Sequence, residues 1–160
     1  MKRDFFRKYK FYRSFASLIV LSVIVVAVSV YFIQKENLIG PVFFGVGILG
    51  LIFMKGFGVE IRQAYPDLVF GFVDNVLLIS SAILGGVFGG VPGAILGGVA
   101  GNTIADGVSG FFEGYVSKKV TKGKFENKRT ALSSSISKIT GCIFGAGFIL
   151  TLFWIVKILI

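Results

Sequence analysis

Five apolar runs, separated by short polar clusters, set the pattern of this chain. The first, from about Phe15 to Ile33, is rich in Val and Ile. In water that composition favours strand; its length without turn signals predicts a membrane-spanning helix over 15–33. Gln34-Lys35-Glu36-Asn37 reads as a polar turn. A second helix is expected over 38–54, with Pro41 in its first turn, where a missing N–H costs nothing. Lys55 to Pro66 reads as an amphipathic connection carrying Glu60 and Arg62, and Asp67 as the cap of a third helix over 68–88.

Gly89-Gly90-Val91-Pro92-Gly93 follows with no charge in it. A single helix from Leu68 to Phe112 would be ~67 Å long, about twice the bilayer core, so the glycines are expected to turn the chain back. The fourth helix is then 93–115, a basic loop occupies 117–135, and the fifth helix is 136–160. The expected fold is an all-α polytopic membrane protein: a single domain, 1–160, bundling about five transmembrane helices around a glycine-rich central hairpin.

Composition agrees, with 54% hydrophobic residues and a mean hydropathy of +0.84. The net charge of +9 does not point to nucleic acid, because the basic residues flank apolar runs instead of forming one face of a soluble module. Lys2, Arg3, Arg7, Lys8, Lys10 and Arg13 precede the first run, and Lys55 and Arg62 lie between the second and third. Lys118, Lys119, Lys122, Lys124, Lys128, Arg129 and Lys138 lie between or beside the fourth and fifth. Of seventeen basic residues this leaves Lys35 and Lys157 for the other side. The positive-inside rule makes the basic side cytoplasmic. The expectation is a cell (inner) membrane protein with a cytoplasmic N-terminus, its first helix a retained signal anchor, and its C-terminus on the opposite side. The basic aromatic segment Phe5 to Arg13 and the loop 117–135 suit anionic lipid headgroups, and Trp154 an interfacial anchor.

Enzymatic chemistry is not expected. There is no histidine, Cys142 is the lone cysteine, and no nucleophile stands beside a base. Gly85, Gly89, Gly93, Gly97 and Gly101 recur every four residues, a spacing that lets helices approach closely in lipid. Phe44-Gly45-Val46-Gly47 is echoed by Phe144-Gly145-Ala146-Gly147, in runs that would cross in opposite directions.

The acidic residues within the apolar runs carry more information. Folded about Gly90, Asp74 faces Asp106, and Asp67 with Glu113 forms a second, shallower level. Asn102, Asp106, Ser109 and Glu113 share one helix face, and Asn75 adjoins Asp74. An ionisable group within a membrane helix costs about 2.5–3.5 kcal/mol or more, so such residues mark pathways or sites. Two carboxylates at one depth must share a proton, pair with a base or bind a cation. Oxygen ligands of this kind suit Fe²⁺, Mn²⁺, Mg²⁺ or Ca²⁺ as ligand or substrate, and no tightly bound cofactor is expected. Asp74 and Asp106 are the expected primary ligands, Asn75, Asn102 and Ser109 secondary ones, and Glu113 with Asp67 the cytoplasmic entry.

Over 68–119 the chain resembles the vacuolar iron transporter family. Gly71-Phe72-Val73-Asp74-Asn75 resembles its Gly-x-x-Asp-Gly motif, and Gly107-Val108-Ser109 with Glu113-Gly114-Tyr115-Val116-Ser117-Lys118-Lys119 its second motif. The resemblance implies a dimeric exchanger of divalent iron or manganese against protons. Gly110 stands where that family carries a methionine ligand, the following loop is basic instead of acidic, and the helix order differs. The alternative is a non-catalytic glycine-zipper protein, an oligomeric or accessory component of the membrane.

Overall fold

The structure is a computed structural model that describes residues 2–33, 38–56, 58–120 and 130–159. Four helices account for nearly all of them: α1 (Lys2–Ile33), α2 (Ile39–Gly56), α3 (Ile61–Val120) and α4 (Ala131–Leu159). α1 belongs to a unit of its own, residues 1–36, and the other three form a second, 37–160. α1 begins well before the expected Phe15, so the basic aromatic segment is helical too. Its apolar run exposes Val20, Val23, Val26 and Val30, and Ser29 donates its hydroxyl to the Val25 carbonyl at 2.8 Å.

Within the second unit, α3 is two helical arms joined at Gly90, whose φ of 59° and ψ of −143° interrupt the helix. A side chain is strained at that φ, which is why glycine stands there. The turn is tighter than the expected five-residue segment, since only Gly90 departs from helical geometry and Pro92 sits in the first turn of the returning arm, where its ring is tolerated. Beyond the turn the arms run side by side in opposite directions. Gly86 meets Ala94, Gly98 meets Ala82, Gly97 meets Ser81 and Gly85, and Gly101 meets Leu78 and Ser81. Paired positions therefore sum to about 180 in residue number, a register set by backbone-to-backbone approach.

Helix starts depart from expectation for local reasons. α3 begins at Ile61, not Leu68: the Glu60 carbonyl accepts from the Gln63 and Ala64 amides at 2.9 and 3.1 Å, and the Gln63 side chain donates to the Glu60 carboxylate at 2.6 Å. Asp67 consequently lies within the helix and does not cap it. α4 begins at Ala131, not Ile136, because Thr130 and Ser133 cap each other: the Ser133 amide donates to Thr130 Oγ1 at 3.1 Å and the Thr130 amide to Ser133 Oγ at 2.9 Å. Of the expected loop 117–135, residues 117–120 continue α3 and 131–135 open α4, while 121–129 lie outside the described residues.

α4 packs against both α2 and α3. Gly50 meets Thr140, Gly47 meets Phe144 and Phe44 meets Gly147, so α2 and α4 are antiparallel. The echoed motifs thus pack reciprocally, with the Phe44 and Phe144 rings 6.2 Å apart. Gly71 abuts Lys138 and Cys142, Leu68 abuts Gly141 and Phe72 abuts Gly145, so α4 runs parallel to the first arm of α3. These registers gather the Gly56, Ile61, Val120 and Ala131 ends at one end of the unit, and Ile39, Gly90 and Leu159 at the other.

Large apolar side chains face outward: Phe88, Val91, Val87, Leu96 and Phe111 are all at least 70% exposed. Beside Met54, Ile136 and Ile143, the buried side chains are small or polar: Ala64, Ala105, Ala146, Asp67, Ser109, Ser137 and Thr140. That inversion is what a lipid solvent requires. Among the described residues, three helices are long and apolar enough to cross a bilayer. They fit an integral membrane protein.

Candidate functional site

The two arms of α3 carry the acidic residues, and the first half of α4 packs beside them. Asp74 and Asp106 stand sixteen residues on either side of Gly90, at the same level in the arm register and ~24 Å from the turn. Asp67 and Glu113 share the next level, about 35 Å from it. Lys138 comes in from α4, where Gly71 lies against its backbone carbonyl.

Each acidic group has a different environment. Asp67 is fully buried and accepts a hydrogen bond from the Ser134 hydroxyl at 2.9 Å. Such an enclosed group does not form an open mouth. Glu113 Oε2 accepts from the Lys138 ammonium at 3.1 Å, an ion pair whose two side chains are 21% and 35% exposed. The same ammonium lies over the Phe70 ring, 4.0 Å from its centroid. Asp106 faces outward and accepts from the Asn102 amide at 3.3 Å. Asp74 Oδ1 is buried yet receives no hydrogen bond from any described residue. Its charged neighbours are Asp106 and Lys138.

The remaining expected ligands are partly committed. Asn75 donates its side-chain amide to the Cys142 carbonyl at 2.8 Å, which ties the first arm to α4. Ser109 is buried and donates to the Ala105 carbonyl. Ser80, Thr103, Ser137, Thr140 and Thr151 likewise donate to the carbonyl four residues earlier, so these hydroxyls satisfy their own helices.

Asp74 and Asp106 are thus brought to one level, with Asn102 hydrogen-bonded to Asp106 and Asn75 adjoining Asp74. Asp67 and Glu113 lie about two turns away. Among the described residues no three carboxylate or thiol side chains gather closely enough to enclose a metal ion on their own. Any ion held at Asp74 and Asp106 therefore needs amide, carbonyl or water oxygens to complete its shell. Lys138 is the participant that sequence reasoning left out. Expected among the cytoplasmic charges flanking the fifth run, it lies about two turns inside a helix, against Glu113, because α4 starts earlier. The Thr130-x-x-Ser133 cap was the signal that could have revealed it.

The second arm also presents an uncovered ridge. Asn102, Asp106, Gly110 and Gly114 recur at four-residue intervals and all are exposed, with Thr103 and Gly107 alongside. A Cβ at Gly107, Gly110 or Gly114 would meet nothing. The chain matches no family model, no curated protein and no solved structure.

Proposed function

We propose that this membrane protein binds a divalent cation at Asp74 and Asp106 and conducts it across the bilayer, in exchange for protons carried by the same carboxylates. The observation that carries the reading is the buried Asp74 Oδ1, which accepts no hydrogen bond from the described residues at a depth where a polar atom without a partner is costly. An oxygen in that position is available to a proton or to a metal ion. Asp106 at the same level supplies a second hard oxygen ligand, and Asn102 and Asn75 supply amide oxygens. Mn²⁺ and Fe²⁺ fit this donor set, and the distant resemblance to vacuolar iron transporters favours them. Reading the two arms of α3 as separate spans, together with α1, α2 and α4, gives the five spans of this proposal. The basic ends near Gly56, Ile61, Val120 and Ala131 then face the cytoplasm.

Uptake of Mn²⁺ into proteoliposomes tests the reading. Asp74→Ala and Asp106→Ala abolish flux and Gly89→Ala preserves it; flux that survives both aspartate substitutions refutes it.

A second reading, of assembly, has its own observation. Exposed Asn102, Thr103 and Asp106 on a spanning helix would face hydrocarbon, and the glycines beside them leave room for another backbone. A second copy of the chain laid along this ridge shields them, making the protein a homodimer.

A further inference from the structure

We infer that Lys138 is a tethered counter-ion at the mouth of the cation site, an internal ammonium that an incoming cation must displace to reach Asp74 and Asp106. The inference rests on the cation-binding reading above and adds to it the residue that controls entry.

The geometry begins with the backbone. Gly71 brings the first arm of α3 into contact with the carbonyl of Lys138, and Asn75 fastens the same arm to the carbonyl of Cys142. The root of the lysine side chain is therefore fixed at the Gly71 level, less than one turn from Asp74. Its flexible end is not held at that level. It reaches the opposite arm, where the ammonium pairs with Glu113 at 3.1 Å and covers the face of Phe70 at 4.0 Å. Phe70 lies one turn before Asp74 on the same helix. The ammonium and the ring thus stand between the Glu113 level, at the Ile61 and Val120 end of the unit, and the aspartate pair further in.

Charge makes this arrangement reversible. Lysine's four-carbon stem carries a point charge with three donors and no fixed fork, so it trades partners easily. Glu113 holds it at 3.1 Å, and Asp74 has it as a charged neighbour. A divalent cation arriving at Glu113 competes with the ammonium for that carboxylate and repels it. Removing the ammonium leaves the carboxylates with a larger net negative charge and nothing to displace. A purely structural lysine predicts the opposite, weaker binding once its packing is lost.

The experiment is a Mn²⁺ titration of the purified full-length protein, with free Mn²⁺ read by electron paramagnetic resonance, on wild type, Lys138→Met and Lys138→Arg. The methionine keeps a long apolar stem without charge, and the arginine restores the charge. Lys138→Met is expected to tighten apparent Mn²⁺ affinity about tenfold or more, and Lys138→Arg to restore wild-type affinity. Wild-type binding with equal or weaker binding in Lys138→Met overturns the counter-ion inference and leaves the cation reading standing. No Mn²⁺ binding to either protein overturns both. Should Lys138→Met fail to fold, reductive methylation of Lys138 in the wild type, followed by mass spectrometry, decides the matter. Labelling that rises with saturating Mn²⁺ supports displacement, and unchanged labelling refutes it.

Discussion

Asn75 donates its side-chain amide to the backbone carbonyl of Cys142 at 2.8 Å, fastening the first arm of α3 to α4 one residue away from Asp74. Interhelical hydrogen bonds of this kind contribute about 0.6–1.7 kcal/mol in membrane proteins. Asn75→Ala should lower stability by about that amount in equilibrium unfolding from mixed micelles. Asn75→Asp should cost more, because a carboxylate would then face the Cys142 carbonyl without a donor between them.

Asp67 depends on Ser134 in a similar way, but in a fully buried setting. Ser134→Ala removes the donor and leaves a buried carboxylate oxygen with one partner fewer, at a cost of about 1–3 kcal/mol. Ser134→Thr keeps a hydroxyl at the same position and should recover much of the loss. The same unfolding assay reads both.

Close backbone approach supplies a third expectation. A Cβ on Gly71 would collide with the Lys138 carbonyl, and one on Gly141 with the Leu68 carbonyl. Gly71→Ala or Gly141→Ala should therefore destabilise the protein by about 1–3 kcal/mol through overpacking. Gly45→Ala and Gly89→Ala meet open space and should be neutral. Equal effects at all four positions would show that helix propensity, not packing, decides.

The helix-forming runs and the level of Asp74 with Asp106 were legible in the sequence, because both follow from length and from counting outward from Gly90. Helix starts were not. Pro66 suggested a boundary, yet the Glu60 carbonyl and its partner Gln63 start α3 earlier, which puts Asp67 inside the helix instead of at its cap. The same kind of local capping at Thr130 and Ser133 moved Lys138 inward, from a flanking charge to a partner of Glu113. Hydroxyl donation within a helix was also hidden, since nothing in the residue order says whether Ser109 turns toward the site or back to Ala105. The parallel pairing of α4 with the first arm of α3 depends on glycines far apart in the chain, and no local pattern records it.

Dimerisation along the Asn102, Asp106, Gly110 and Gly114 ridge has a direct test. Gly110→Leu or Gly114→Leu fills the space a second backbone would occupy, and a Cβ at either position meets no described atom. Light scattering in detergent should show dimer for the wild type and monomer for either variant. Dimer in all three proteins would place the interface elsewhere.

The central claim is that Asp74 and Asp106 together hold a divalent ion inside the bilayer. Counting Mn²⁺ bound to the purified protein tests this most directly, on wild type and on Asp74→Asn, which keeps the shape of the side chain and removes its charge. The predicted result is saturable binding of about one ion per chain in wild type, with affinity lowered at least about a hundredfold by Asp74→Asn. Equal Mn²⁺ binding by the two proteins, or none by wild type, would contradict it.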